Sequence, residues 1–131
     1  MIAIISTWIA YVGLNVLIAK MNSNTVASRI KAKDTRQINH PLWAFIYAVL
    51  CVPAFLFFHS WLFVGAVVLL HLSVFPVAFN RYRGNPAFYL STTTTSFTDR
   101  IMDDMGFKST EAVNILAFAG SILLTVLTIM K

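Results

Sequence analysis

The polar residues set inside long apolar runs are the ones whose chemistry decides how this chain is read. His71 lies mid-way along Trp61–Phe79, a stretch without a formal charge. An ionisable group among apolar neighbours is costly to bury and marks a functional position by default. An imidazole there offers proton relay or ligand binding. The sequence favours a plainer reading, a neutral ring that turns inward and hydrogen-bonds Asn15, a neighbouring Ser73 or a backbone carbonyl. Asn15 and Asn114 are the other polar span residues considered, and with His71 they define a candidate polar path. Such side chains more often join helices than carry out a mechanism.

Two clusters lie outside the apolar runs. Arg81-Tyr82-Arg83 follows the third run, and its guanidinium forks suit a lipid phosphate or an anionic substrate. Basic residues beside a span also set its depth, and anchoring is the favoured reading. Asp99, Asp103 and Asp104 form the one carboxylate cluster. On a helix Asp99 and Asp103 face the same way, a spacing that would hold Mg²⁺ against a lipid diphosphate. The ordinary alternative is a solvated helix face with an Arg100–Asp104 ion pair. Cys51 is the single cysteine, so there is no intrachain disulfide, and no Cys/His cluster has zinc spacing. His40 and His59 fall at opposite ends of one run, and no serine sits in a glycine-flanked turn. No catalytic residue, cofactor or metal ligand is assigned.

The elements that must position these residues are apolar. Four runs, Ile2–Ala19, Leu42–Phe58, Trp61–Phe79 and Ala112–Met130, are each close to the roughly 20 residues that cross a bilayer core about 30 Å thick. Hydrophobic residues are 58% of the chain and charged residues 11%, against about 45–50% and 25% in soluble domains. The runs are apolar all round rather than on one stripe. The expected fold is an all-α integral membrane domain, residues 1–131, with four transmembrane helices in an up-down bundle and a short cytoplasmic interfacial helix.

Charge sets the orientation. Of ten Lys and Arg, nine lie in the two long connections, 20–41 and 80–111; only Lys131 lies elsewhere. The positive-inside rule then puts both connections in the cytoplasm and both termini outside, in a bacterial inner membrane. Fusing the second and third runs into one helix would separate the basic loops and give a helix of about 57 Å, too long for one span. A tight hairpin at Phe58-His59-Ser60-Trp61 is expected instead. Phe57, Phe58 and Trp61 would lie at the outer interface, and Trp43, Tyr47, Tyr82 and Tyr89 at the inner one.

Within the first connection Asn24 reads as an N-cap for a helix or helical extension over roughly Thr25–Arg36, ended by Asn39-His40-Pro41. Pro53 and Pro76 lie inside the second and third runs, where each removes a backbone donor. In the second connection a hydroxyl run, Ser91–Ser96, precedes an amphipathic helix over Phe97–Met105. Its apolar face is Phe97, Ile101 and Met105, and Gly106 stops it. Ser109-Thr110-Glu111 starts the last span. Small residues share faces on three runs: Ser6, Ala10 and Gly13; Ala44, Ala48 and Cys51; Ala117 and Ser121, with Gly120 beside them. Such faces allow close helix approach, within the chain or to another copy.

Asn80, Arg83 and Gly84, then Tyr89-Leu90-Ser91-Thr92-Thr93, then Asp99-Arg100 resemble a pattern in small bacterial four-span membrane proteins, some of them phage-borne. The resemblance covers about 20 of the 131 residues and implies no activity. Better-known small families do not fit. Multidrug-resistance transporters need an acid in the first span, fluoride channels are glycine-rich, and diacylglycerol kinase-like enzymes need several membrane-level glutamates, where this chain has Glu111 alone.

The expected function is therefore non-enzymatic, an interaction or accessory protein of the inner membrane. Its expected partners are lipids, including anionic head groups at the cytoplasmic face, and another copy or a second protein, with no nucleic acid. The alternatives are a small oligomeric channel or transporter using His71, Asn15 and Asn114, and a lipid-processing enzyme using Arg81, Arg83 and the Asp99/Asp103/Asp104 cluster.

Overall fold

The computed structural model describes residues 1–32, 40–90 and 97–131, with backbone alone at 40–44 and 97–98. The described residues are helical, with no strand. The helices are α1 (Ile2–Lys31), α2 (His40–Phe58), α3 (Trp61–Tyr82), α4 (Phe97–Asp104) and α5 (Glu111–Ile129). By length and composition α1, α3 and α5 are each able to cross a membrane, and α2 carries a shorter apolar segment, Phe45–Phe58.

The first helix does not stop at Ala19. It runs unbroken to Lys31, so Asn24 is an interior residue and not a cap. No Gly or Pro lies between Gly13 and Pro41 to break it. Its polar stretch instead bonds back to the helix: Asn22 Nδ2 donates to Ile18 O, Thr25 Oγ1 to Met21 O and Ser28 Oγ to Asn24 O. The expected continuation toward Arg36 lies beyond the described residues, as do the Ser91–Ser96 hydroxyl run and the side chain of Trp43. Pro41 occupies the first turn of α2, where its missing N–H costs no helix bond.

The hairpin between α2 and α3 is as tight as the sequence requires. His59 takes a left-handed backbone, φ 46°, and Ser60 caps α3 by accepting from the Phe63 amide at 3.3 Å. Two helices therefore replace one overlong helix. After α3, Asn80 organises the chain's return. Its side-chain amide donates to Ala87 O and Tyr89 O at 3.2 and 3.0 Å, and Thr110 N donates to Phe88 O at 3.1 Å. The short α4 ends as Gly106 predicts, at φ 78°. Phe107 N bonds Met102 O and Gly106 N bonds Asp103 O, which satisfies the last carbonyls. Ile101 and Met105 on its apolar face are exposed.

The hub is α3, which packs against α1, α2 and α5, most extensively against α5. Its contact with α5 is close because glycines line it. A Cβ added to Gly65 would lie 3.1 Å from Leu124 Cδ1, and one added to Gly120 would lie 3.0 Å from Leu69 Cδ1. The small face of α5 thus packs within the chain. The one expected on α1 does not: Ser6, Ala10 and Gly13 are exposed, and Tyr11, Asn15, Ile18, Ala19, Asn22 and Ser23 are the buried side chains instead. On α2 the buried positions are Tyr47, Cys51 and Ala54, with Ala48 exposed.

The core around α3 is apolar, with Phe63, Ala66, Val67 and Leu70 fully buried, whereas α1 and α5 bury polar side chains and turn aliphatic ones outward. The buried face of α5 is Asn114, Ala117, Ser121 and Thr125, while Ile115, Leu116, Ile122, Leu123 and Val126 are exposed. On α1, Asn15 is fully buried and Ile2, Ile5, Ile9 and Leu17 are exposed.

Candidate functional site

Two groups of polar side chains join helices. The first is a relay between three helices. Trp8 Nε1 on α1 donates to Ser121 Oγ on α5 at 2.9 Å, and Ser121 Oγ donates to Ala66 O on α3 at 2.7 Å. The accepting carbonyl lies in α3's glycine-lined face, where small side chains let the helices approach.

The second group is centred on Asn15. Its Nδ2 donates to Tyr11 O one turn earlier, at 2.7 Å, and to Tyr47 Oη on α2, at 3.3 Å. Tyr47 Oη in turn donates to Val67 O on α3 at 2.9 Å. Tyr11 Oη donates to Leu50 O on α2. The remaining Asn15 atom, Oδ1, lies 2.7 Å from His71 Nδ1. The amide orientation follows from chemistry. A backbone carbonyl only accepts, so the atom facing Tyr11 O is the NH₂ group, and Oδ1 must face His71. An amide oxygen only accepts, so His71 carries its hydrogen on Nδ1 and leaves a lone pair on Nε2.

Rings complete this node. The His71 imidazole stacks on Tyr47, centroids 3.9 Å apart at 30°, and meets Phe75 at 5.0 Å. Phe75 stacks on Phe79 at 5.7 Å, and the Arg83 guanidinium lies 5.5 Å from the Phe79 centroid. His71, Phe75, Phe79 and Arg83 recur every four residues, one face of α3. The stripe runs from the middle of the helix to its basic end.

Of the expected polar path, His71 and Asn15 meet directly. Asn114 does not join them; its Nδ2 donates to Thr110 Oγ1 at 2.9 Å, within the first turn of its own helix. Ser73 also bonds locally, to Leu70 O at 2.9 Å. Arg81 and Arg83 are exposed at the end of α3. Asp103 and Asp104 are exposed on α4, and among the described residues no three His, Cys, Asp or Glu side chains gather to hold a metal. Cys51 is a buried free thiol. Among the described residues one side-chain polar atom is left over inside: Asn22 Oδ1 is buried without a hydrogen-bond partner.

Tyr47 is a correction to the sequence reading. It is not an interfacial anchor but a buried cross-helix linker. Tyr11, like Trp8, carries no distinguishing local signal. The one trace available was spacing, since Tyr47 and Cys51 are four residues apart and share a face. No known protein family, curated protein or solved structure matches the chain.

Proposed function

We propose that the chain is a polytopic protein of the bacterial inner membrane that crosses the bilayer four times and acts by binding rather than catalysis, as an accessory or interaction protein. The observation that carries the membrane part is the surface of the helices: large aliphatic side chains cover the outside of α1 and α5, while Asn15, Asn114, Ser121 and Thr125 are buried beside an apolar core. In water that surface would be strongly unfavourable, whereas against lipid tails it costs nothing and the buried polar groups hold helices together. The full extent of α2, 19 residues, gives about 28 Å and supports counting it as the fourth span.

The non-catalytic part is supported by how the deep polar groups are spent. Trp8, Tyr11, Asn15, Tyr47 and Ser121 each bond another helix or its backbone. With both basic connections in the cytoplasm, Arg81 and Arg83 lie at the level of anionic head groups, and these connections are the surface offered to lipid or to a protein partner.

Washing isolated membranes with alkaline carbonate tests insertion: the protein should remain with the lipid. Release into the wash would defeat the reading. A second reading, a small oligomeric channel or transporter, draws on the His71–Asn15–Tyr47 node. Proton flux in reconstituted vesicles that is lost in His71→Gln would favour it over the accessory role.

A further inference from the structure

Accounting for hydrogen bonds in the Asn15 node leaves one ring nitrogen, His71 Nε2, without a partner. Both Nδ2 hydrogens of Asn15 are given away, to Tyr11 O and Tyr47 Oη. The two tyrosine hydroxyl hydrogens go to backbone carbonyls, Leu50 O and Val67 O. The Nδ1 hydrogen of His71 goes to Asn15 Oδ1. What remains is the Nε2 lone pair. It has no partner among the described residues, and it is not among the buried unpartnered atoms, of which Asn22 Oδ1 is the one described. His71 itself is half-buried. A basic nitrogen is thus held in a fixed orientation by three helices, with its free side open to the surroundings.

We propose that Nε2 of His71 is a proton-binding site in the apolar part of this protein, and that it fills without breaking the contacts joining α1, α2 and α3. The step is simple. An acid outside the site gives its proton to the Nε2 lone pair, a new N–H bond forms, and the conjugate base stays outside. The Nδ1–H···Oδ1 bond is kept and becomes charge-assisted, hence stronger. The positive charge then lies against the faces of Tyr47 and Phe75, 3.9 and 5.0 Å away, which attract a cation.

Among the described residues, the neighbouring elements neither supply nor oppose this charge with one of their own. The titratable groups on the faces around α3 are Tyr11 on α1 and Tyr47 and Cys51 on α2. The buried face of α5 carries Asn114, Ala117, Ser121 and Thr125, and its one acid, Glu111, is exposed at its start. The site deepens the membrane reading and rests on it, because a proton held there matters to function only inside a bilayer.

Histidine ¹⁵N resonances of the detergent-solubilised protein test this, with His71→Gln separating His71 from His40 and His59. At neutral pH His71 should show a protonated Nδ1 and a bare Nε2. On acidification Nε2 should shift to its protonated position while Nδ1 stays protonated and helical circular dichroism is unchanged. A neutral ring protonated on Nε2 would overturn the proposal, as would an Nε2 that stays bare until the helices unfold. Asn15→Leu should move the neutral ring toward the Nε2–H form. If that variant does not fold, Tyr47→Phe, which keeps the Asn15–His71 bond, should retain the Nδ1–H form. Relaxation by a water-soluble and by a lipid-soluble paramagnet tells an aqueous source of the proton from a membrane-dissolved one; broadening of the His71 signals by neither would also overturn it. Dispersal of the protein without detergent would defeat the bilayer reading while leaving the tautomer readout intact.

Discussion

The two sides of α3 hold their neighbours by opposite means. Toward α5 the contact is close, set by Gly65, Ala66, Ala117 and Gly120, with one hydroxyl, Ser121, bonding Ala66 O. Toward α2 the packing is sparser, and long polar side chains do the joining: Tyr47 reaches Val67 O, and Tyr11 on α1 reaches Leu50 O across to α2. Small residues give contact area without leaving any group open. Tyrosine, asparagine and histidine span a wider separation and leave an acceptor, Nε2, to spare. The first seam is the more closely packed, and the second leaves an acceptor for binding chemistry.

Filling the glycine seam should have the largest effect. Gly120→Val would put a branched side chain where even a Cβ lies 3.0 Å from Leu69 Cδ1. Overpacking of this kind costs about 1–3 kcal/mol, and unfolding in a detergent titration should show it. A variant as stable as the parent would mean that the α3–α5 seam is looser than described.

Cutting the polar seam should cost less. Asn15→Leu removes the bonds to Tyr47 and His71 together, and cross-helix hydrogen bonds in membranes are worth about 0.6 kcal/mol on average and rarely above about 1.7. The same titration should show a loss of about 1 to 2 kcal/mol. A loss as large as that of the glycine variant would reverse the ranking of the two seams.

The smallest effect belongs to Asn22, which sits in neither seam's network. Its Oδ1 is buried and unpartnered, so Asn22→Ala removes an unsatisfied acceptor as well as one local bond to Ile18 O. The variant should unfold within about 0.5 kcal/mol of the parent, on the stabilised side. A loss above about 1 kcal/mol would show that Oδ1 has a partner, such as a bound water.

Much of the scaffold was legible because it follows from runs and breakers. The hairpin at His59-Ser60, the stop at Gly106 and the start of α5 beside Thr110 each rest on a local residue with a local reason. The length of α1 was not legible. Lys20, Asn22, Ser23 and Asn24 look like a loop, yet hydroxyl and amide bonds back to the preceding turn let the helix continue. The packed face of α1 was misjudged for a related reason. Ser6, Ala10 and Gly13 make a plausible small-residue face, but the partners of Trp8, Tyr11 and Asn15 lie on other helices, and spacing within one helix does not reveal them. The pairing of His71 with Asn15 was within reach, because a mid-run imidazole and a mid-run amide each need a partner. Tyr47 was not, since a tyrosine near a run's end ordinarily reads as an interfacial anchor.

The central claim is that both basic connections share one side of a membrane, with the His59-Ser60 hairpin on the other. Single cysteines at Ser60, Lys31 and Asn85 in a Cys51→Ala background, treated with an impermeant thiol reagent from outside intact cells, measure it directly. The account predicts labelling at Ser60 and none at Lys31 or Asn85 until the membrane is opened. Labelling of Lys31 from outside, or equal labelling at all three, would contradict it.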